Sequence, residues 1–113
     1  MKDNDTDFLG EFEQTVMLAA LRQPDGAYAV SIREEIESRT GRNVSRGAIY
    51  VTLDRLEKKG YLESWLADPT PERGGRAKRH FRVTARGLRE AKAARKAFSR
   101  LWAGIPELGG GQA

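Results

Sequence analysis

The chain has 113 residues, a single histidine, no cysteine and a formal net charge of +4. This is the length of one domain, and with 39% hydrophobic residues the chain can build one small core. Without cysteine it has no disulfide, thiol nucleophile or cysteine-based zinc site, and one histidine cannot form a metal cluster. We therefore expect no enzyme, no cofactor and no metal site. Because no apolar run is long, we also expect no membrane span and a cytoplasmic protein.

The charge is distributed unevenly along the chain. Residues 1–38 carry three bases and nine acids, a net charge of −6, whereas residues 39–113 carry seventeen bases and seven acids, a net charge of +10. A strongly basic segment attracts polyanions through release of their counterions. The C-terminal two thirds is therefore a candidate nucleic-acid-binding region, and a plainly solvated surface is the alternative.

The first helix is predicted over residues 8–22, after a flexible arm at residues 1–7. It ends at the turn sequence QPDG, because proline and glycine interrupt helices. Its apolar side chains recur at helical spacing. They are Leu9, Phe12, Val16, Ala19 and Ala20.

A second helix is predicted over residues 28–40, with Ile32 and Ile36 on its inner face. Ser31 followed by Glu34 also fits a capping box, so this helix could instead begin at Ser31. A glycine follows the last turn, as is typical of helix C-termini.

A third helix is predicted over residues 46–59, with Ser45 as its N-cap. Its buried stripe consists of Ile49, Leu53 and Leu56. At 100° per residue, a second set of residues lies on the opposite face, where it meets water or a partner. This set is Gly47, Tyr50, Val51, Asp54 and Lys58.

After the third helix, the pattern changes to that of strands. Residues 61–66 and 79–84 are predicted to pair as a β-hairpin, with a long tip that contains two prolines and two glycines. Four cations lie on or beside this tip: Arg73, Arg76, Lys78 and Arg79.

A fourth helix is predicted from residue 84 or 85 to about residue 102, followed by a flexible tail at residues 106–113. Its apolar stripe has little core to cover it, and a large exposed apolar stripe is unfavourable in water. We therefore expect a homodimer in which a second copy of the chain covers this stripe. The expected interface residues are Leu88, Ala91, Phe98, Leu101, Trp102 and Ile105.

The order helix, helix, helix, hairpin, helix is that of a winged helix-turn-helix. The predicted fold is mainly α with a two-stranded β-hairpin: a DNA-binding domain at residues 8–84 and a C-terminal dimerisation helix at 85–105. In such a domain the third helix enters the major groove of double-stranded DNA, and the hairpin, or wing, contacts the backbone. The expected DNA contacts are Ser45, Arg46, Gly47, Tyr50 and Lys58 on the third helix, and Arg73, Arg76, Lys78 and Arg79 on the wing.

Several of these residues also have a purely structural interpretation. Ser45 caps the helix in either case, and Gly47 could serve close packing rather than close approach to DNA. Arg55 and Lys59 are interpreted as solvated charges, and His80 as a strand residue without a role.

The sequence resembles the PadR-type transcriptional regulators from about residue 9 to residue 87. Residues 45–62 (SRGAIYVTLDRLEKKGYL) resemble the recognition-helix signature of that family. Residues 28–32 (YAVSI) are similar to the opening of its second helix, and residues 74–87 (GGRAKRHFRVTARG) to its wing followed by T-x-x-G. The sequence departs from the family pattern at Val51, where proline is frequent, at Ala29, where glycine is common, and at Ala77 among the wing cations.

The resemblance implies a homodimeric bacterial repressor, of the smaller branch with a single C-terminal helix. The two-fold symmetry of such a dimer predicts a pseudo-palindromic operator. Some relatives bind flat aromatic compounds between such helices, which makes Phe98 and Trp102 candidates for an effector pocket. Simple packing of both side chains in the dimer core is the alternative. Two other functions stay open: a winged-helix module that binds protein rather than DNA, and a module for structured RNA.

Overall fold

A computed structural model describes residues 9–67 and 78–109, and it confirms the winged helix-turn-helix. The helices are α1 (Glu11–Leu21), α2 (Ala29–Thr40), α3 (Arg46–Lys58) and α4 (Ala85–Trp102). The strands are β1 (Ala27–Tyr28), β2 (Leu62–Leu66) and β3 (Arg79–Val83). Within these two described ranges, no helix is both long and apolar enough to cross a bilayer.

Helix α1 begins three residues later than predicted, because Gly10 is its N-cap. The Gly10 N–H donates to Glu13 Oε1 at 2.9 Å, so the Glu13 carboxylate satisfies one of the free donors at this helix end. Lys59 Nζ donates to the two oxygens of the same carboxylate at 3.0 and 3.3 Å. The side chains of Glu13 and Lys59 are only 9% and 24% exposed. The interpretation of Lys59 as a solvated charge is therefore wrong: it neutralises a buried acid and ties the end of α3 to α1.

Helix α2 begins at Ala29, so the alternative start at Ser31 is wrong. The Ser31 hydroxyl lies within the first turn, where it accepts from the Tyr28 N–H at 3.0 Å and donates to Gln23 Oε1 at 2.6 Å. Gly41 ends the helix in the left-handed conformation, with φ of 74°, as the glycine after the last turn predicts.

The core lies between the first three helices and one face of the sheet. Ile49, Leu53 and Leu56 of α3 are all buried, which confirms the predicted inner stripe. Thr52, which the pattern did not select, is buried beside them. The other fully buried large side chains come from α1 and α2: Val16, Met17 and Ile32.

The sheet contains the predicted hairpin and one further strand. Strands β2 and β3 pair antiparallel, with Ser64 opposite Phe81. The two-residue β1 pairs with the other edge of β3, which places Tyr28 opposite His80. The sequence pattern did not predict β1 because a strand of two residues has no periodicity to recognise.

Helix α4 begins in close contact with the segment that follows α3. Thr84 is its N-cap: the hydroxyl accepts from the Gly87 N–H at 3.0 Å and donates to the Gly60 carbonyl at 2.7 Å. A Cβ atom at Gly87 would lie 2.3 Å from the Tyr61 carbonyl oxygen, so only glycine fits here. The threonine and glycine of the T-x-x-G motif therefore dock α4 onto the body of the domain.

The two halves of α4 have different surroundings. Ala91 and Ala94, in the first half, pack against the core, whereas Phe98 and Leu101, in the second half, are exposed. Of the predicted tail, Pro106–Leu108 forms a single 3-10 turn, and residues 110–113 lie outside the described part of the chain.

Candidate nucleic-acid interface

Helix α3 presents the predicted outer face to solvent. Ser45 caps its N-terminus, where the hydroxyl accepts from the Ala48 N–H at 3.0 Å. Tyr50 and Val51 are exposed in the middle of the helix. A Cβ atom at Gly47 would have no neighbour within 4 Å, so Gly47 does not serve internal packing. Close packing within the monomer therefore does not explain why this residue is glycine.

The turn between α2 and α3 is held by two side chains of α2. Arg33 Nε donates to the Val44 carbonyl at 2.9 Å, and the Val44 N–H donates to Glu37 Oε2 at 3.0 Å. Arg33 and Glu37 also pair with each other at 3.5 Å. Both backbone groups of Val44, whose side chain is buried, are thereby satisfied. The start of α3 is therefore fixed relative to α2, although sequence patterns do not identify these contacts.

The charged residues on α3 differ in whether another residue of the domain pairs with them. Arg46 lies exposed in the first turn, without an ion pair or side-chain hydrogen bond to any residue in the described ranges. Lys58 Nζ lies 3.2 Å from Asp54 Oδ2, and both side chains are exposed. An exposed pair at this spacing contributes only about 0.3–0.5 kcal/mol, so Lys58 can exchange Asp54 for another anion.

The base of the wing holds its two described cations against the domain. Lys78 Nζ lies 3.9 Å from the centre of the Tyr28 ring. Arg79 Nη1 donates to Ser64 Oγ at 2.9 Å, and the Ser64 hydroxyl donates to Glu57 Oε2 at 2.5 Å. Arg73 and Arg76, the other predicted wing contacts, lie outside the described residues.

The wing base and the recognition helix meet at one concave surface. A cleft of about 320 Å³ is lined by Tyr28 and Tyr50 together with Lys78 and Arg79. The fold thus brings a predicted residue of α3 beside two predicted residues of the wing. Tyr28 was not predicted as part of this surface, because its position depends on the pairing of β1 with β3.

A stack of rings on the outer face of the sheet supports this wing base. Trp65 and His80 are stacked, with ring centres 5.7 Å apart, and Tyr28 meets the edge of His80 at 5.5 Å. The Arg82 guanidinium lies 4.8 Å from the Trp65 ring. His80, to which the sequence assigned no role, therefore joins β1 to β2 across the central strand.

The predicted dimer stripe is divided between a groove and the surface beside it. A groove of about 610 Å³ between α1 and α4 contains Leu88, Ala91, Phe98 and Trp102. Leu101 and Ile105 are exposed but do not line it. Helix α1 contributes residues that were not among the predicted interface residues: Gln14, Leu18 and Leu21.

Comparison with known proteins identifies the family. The model of the transcriptional regulator PadR-like family matches residues 17–93. A PadR-like transcriptional regulator from Bacillus cereus is 18% identical and has a TM-score of 0.70 over 89% of this chain and 93% of its own. A PadR family transcriptional regulator from Eggerthella lenta is 23% identical, with a TM-score of 0.68 over 87% of this chain and 85% of its own.

A further solved structure with this fold contains a ligand. The PcaV transcriptional regulator from Streptomyces coelicolor, in complex with its natural ligand, is 21% identical and has a TM-score of 0.64, over 83% of this chain and 58% of its own. No curated protein sequence matches the chain significantly. Because the family match runs from α1 through the recognition helix and sheet into α4, the chain belongs to the PadR-like family, whose members are transcriptional regulators and not enzymes.

Proposed function

We propose that the chain is a homodimeric, cytoplasmic repressor that binds a pseudo-palindromic operator in double-stranded DNA. The observation that carries this proposal is the cleft where Tyr50 of α3 meets Lys78 and Arg79 of the wing. A protein that inserts a helix into the major groove needs cations beside that helix, where the phosphates of the groove edge lie. The exposed outer face of α3 and the wing base supply this arrangement.

The proposed contacts divide into those that read bases and those that bind phosphate. Arg46 and Tyr50 are free to reach base edges, and a bidentate arginine prefers guanine. Lys78 and Arg79 are placed for phosphates, and we assign the same role to Arg73 and Arg76. Lys58 is assigned to phosphate as well.

The capped N-terminus of α3 adds to the phosphate contacts. Its free N–H groups and positive dipole end favour an anion beside Ser45.

A winged-helix module that binds protein is the second candidate. Tyr50 and Val51 are the exposed apolar side chains of α3 that would favour it. Arg46, Asp54 and Lys58 on the same face favour DNA, because the centre of a protein interface is depleted in charged residues.

The salt dependence of DNA binding tests the proposal. With a duplex selected by the protein from a random library, log affinity should fall linearly with log salt, by about 0.9 for each phosphate contact.

Arg79→Gln should make this slope shallower by about 0.9 for each copy that contacts phosphate. Arg46→Ala should instead lose about 1–3 kcal/mol and relax the base preference. Arg100→Gln, on the far half of α4, is the control, and an affinity independent of salt would contradict the proposal.

Gly47→Ala tests whether α3 lies close to DNA at this residue, because it should change DNA affinity without lowering stability. Since Gly47 is the second residue of α3 and the added methyl group meets no neighbour, the variant should gain up to about 0.5 kcal/mol of unfolding free energy, less than at a mid-helix position. Its DNA affinity should nevertheless fall at least about fivefold, because the methyl group crowds the closest approach of α3 to the groove. Ser38→Ala on α2 is the matched control, with a similar gain in helix propensity and unchanged affinity. Unchanged affinity in Gly47→Ala would show that α3 does not approach DNA at this residue.

The apolar groove between α1 and α4 supports dimerisation. Burial of a side chain such as Leu or Phe contributes about 1.5–3 kcal/mol, and the groove leaves several of them in water. A second copy is the occupant that we propose, because its α4 has the same apolar stripe and a two-fold axis would pair the two stripes. Two recognition helices would then face half-sites about one turn of DNA apart.

Phe98→Glu should dissociate the dimer. The native chain should sediment with twice its mass of 12.6 kDa, and the variant with the mass of one chain, since a carboxylate would be buried without a partner. Leu66→Glu is the matched control, because Leu66 on β2 is 61% exposed and Phe98 is 63% exposed. A native chain that is monomeric at micromolar concentration would contradict the proposed interface.

The same groove supports a small aromatic effector. Phe98 and Trp102 line it together with two cations, Lys92 and Arg95, and no acidic residue among the described residues lines it. The positive charge of Lys92 and Arg95 favours a planar phenolic or otherwise electron-rich compound over a planar cation. Mutual packing of Phe98 and Trp102 across the dimer is the competing role for these side chains.

Tryptophan fluorescence distinguishes the two roles. In a Trp65→Phe variant, the emission of Trp102 should be quenched by planar phenolic compounds and much less by planar cations. A Trp102→Phe variant, which retains Trp65, should show no such quenching. If a broad panel of both classes leaves Trp102 unaffected, the effector role is excluded and packing in the dimer explains both side chains.

A further inference from the structure

The outer face of α3 contains only part of the chemical repertoire for reading bases. Its members offer a phenol at Tyr50, an apolar side chain at Val51 and a carboxylate at Asp54, and Arg46 adds a guanidinium in the first turn of the helix. Residues 46–58 include neither asparagine nor glutamine. This composition restricts which base pairs the helix can recognise directly, if it binds DNA as proposed above.

Each base in the major groove is matched by a particular side-chain chemistry. Guanine is read by arginine, cytosine by a carboxylate, and adenine by a bidentate asparagine or glutamine. Thymine is read through an apolar contact with its 5-methyl group. A recognition helix without an amide side chain therefore distinguishes A·T pairs best from the thymine side, where it needs an exposed apolar group.

Val51 is the residue of α3 that fits this requirement. Its side chain is 56% exposed, near the centre of the outer face. One turn earlier, Gly47 has no side chain to shield it, and on the other side Asp54 faces the exposed Lys58, 3.2 Å away. A valine in a helix has one strongly preferred rotamer, so little side-chain entropy is lost when it contacts a base.

We propose that Val51 is a specificity-determining residue that contacts the 5-methyl group of a thymine in each operator half-site. This inference rests on the proposed DNA binding and adds the base that the centre of α3 selects. Arg46 then defines the part of the half-site that faces the start of the helix, and Val51 defines an A·T pair next to it.

Replacement of thymine by deoxyuridine tests the contact, because it removes only the methyl group. The full-length native chain first selects duplexes of about three helical turns from a random library. Each thymine of the selected half-site is then replaced in turn by deoxyuridine, and the affinity is measured. We expect one position per half-site at which affinity falls about fourfold, the effect of one buried methyl group. In Val51→Ala the same replacement should change affinity by less than half as much.

Two controls separate readout from folding. Val51→Ala should unfold at or slightly above the temperature of the native chain, since the side chain is exposed and outside the core and alanine has the higher helix propensity. Leu108→Ala truncates an apolar side chain of similar exposure, 51%, in the 3-10 turn after α4, and should keep the full penalty for deoxyuridine.

The possible outcomes distinguish a failure of the Val51 contact from a failure of the proposed DNA binding. If duplexes are selected and bound in a salt-dependent way, but no thymine is enriched or deoxyuridine affects the native chain and Val51→Ala equally, the role of Val51 is overturned and DNA binding stands. If no duplex is enriched at all, the proposed function fails together with this inference.

Discussion

Burial of one side of α3 is the constraint on which the rest of the molecule depends. Ile49, Leu53 and Leu56 are packed into the core, and each contributes about 1.5–3 kcal/mol by leaving water. A rotation of the helix by one residue would expose at least one of them, so the helix has a single favourable orientation. The opposite face, from Gly47 to Lys58, must therefore point outward. A rigid outward face of this kind is what a groove-binding helix requires.

Contacts outside α3 then fix where this face points. Arg33 and Glu37 hold both backbone groups of Val44, and the ion pair of Lys59 with the buried Glu13 fastens the other end of the helix to α1. The helix is thus anchored at its first and last turns. Side chains supported in this way lose less freedom on binding a partner than side chains on a mobile loop.

The wing follows the same principle of preorganisation. Lys78 lies over the Tyr28 ring, and Arg79 is hydrogen-bonded to Ser64, so both cations are already held in place within the monomer. The stack of Trp65 and His80 braces the strands beneath them. Helix α4 differs, because only its first half is supported by the domain and its second half carries apolar side chains into solvent.

The sequence by itself determined the helices, their inner and outer faces, the wing strands and the N-cap at Ser45, because these features depend on short-range periodicity and on local capping chemistry. Only the tertiary structure decided that Lys59 neutralises Glu13, that Arg33 and Glu37 hold the turn before α3, and that Tyr28 joins Tyr50 beside the wing cations. These contacts join side chains from different elements, and their distances depend on how the helices and the sheet pack. A periodic pattern records which side of an element is apolar, but it carries no information on which polar residue of another element will face it.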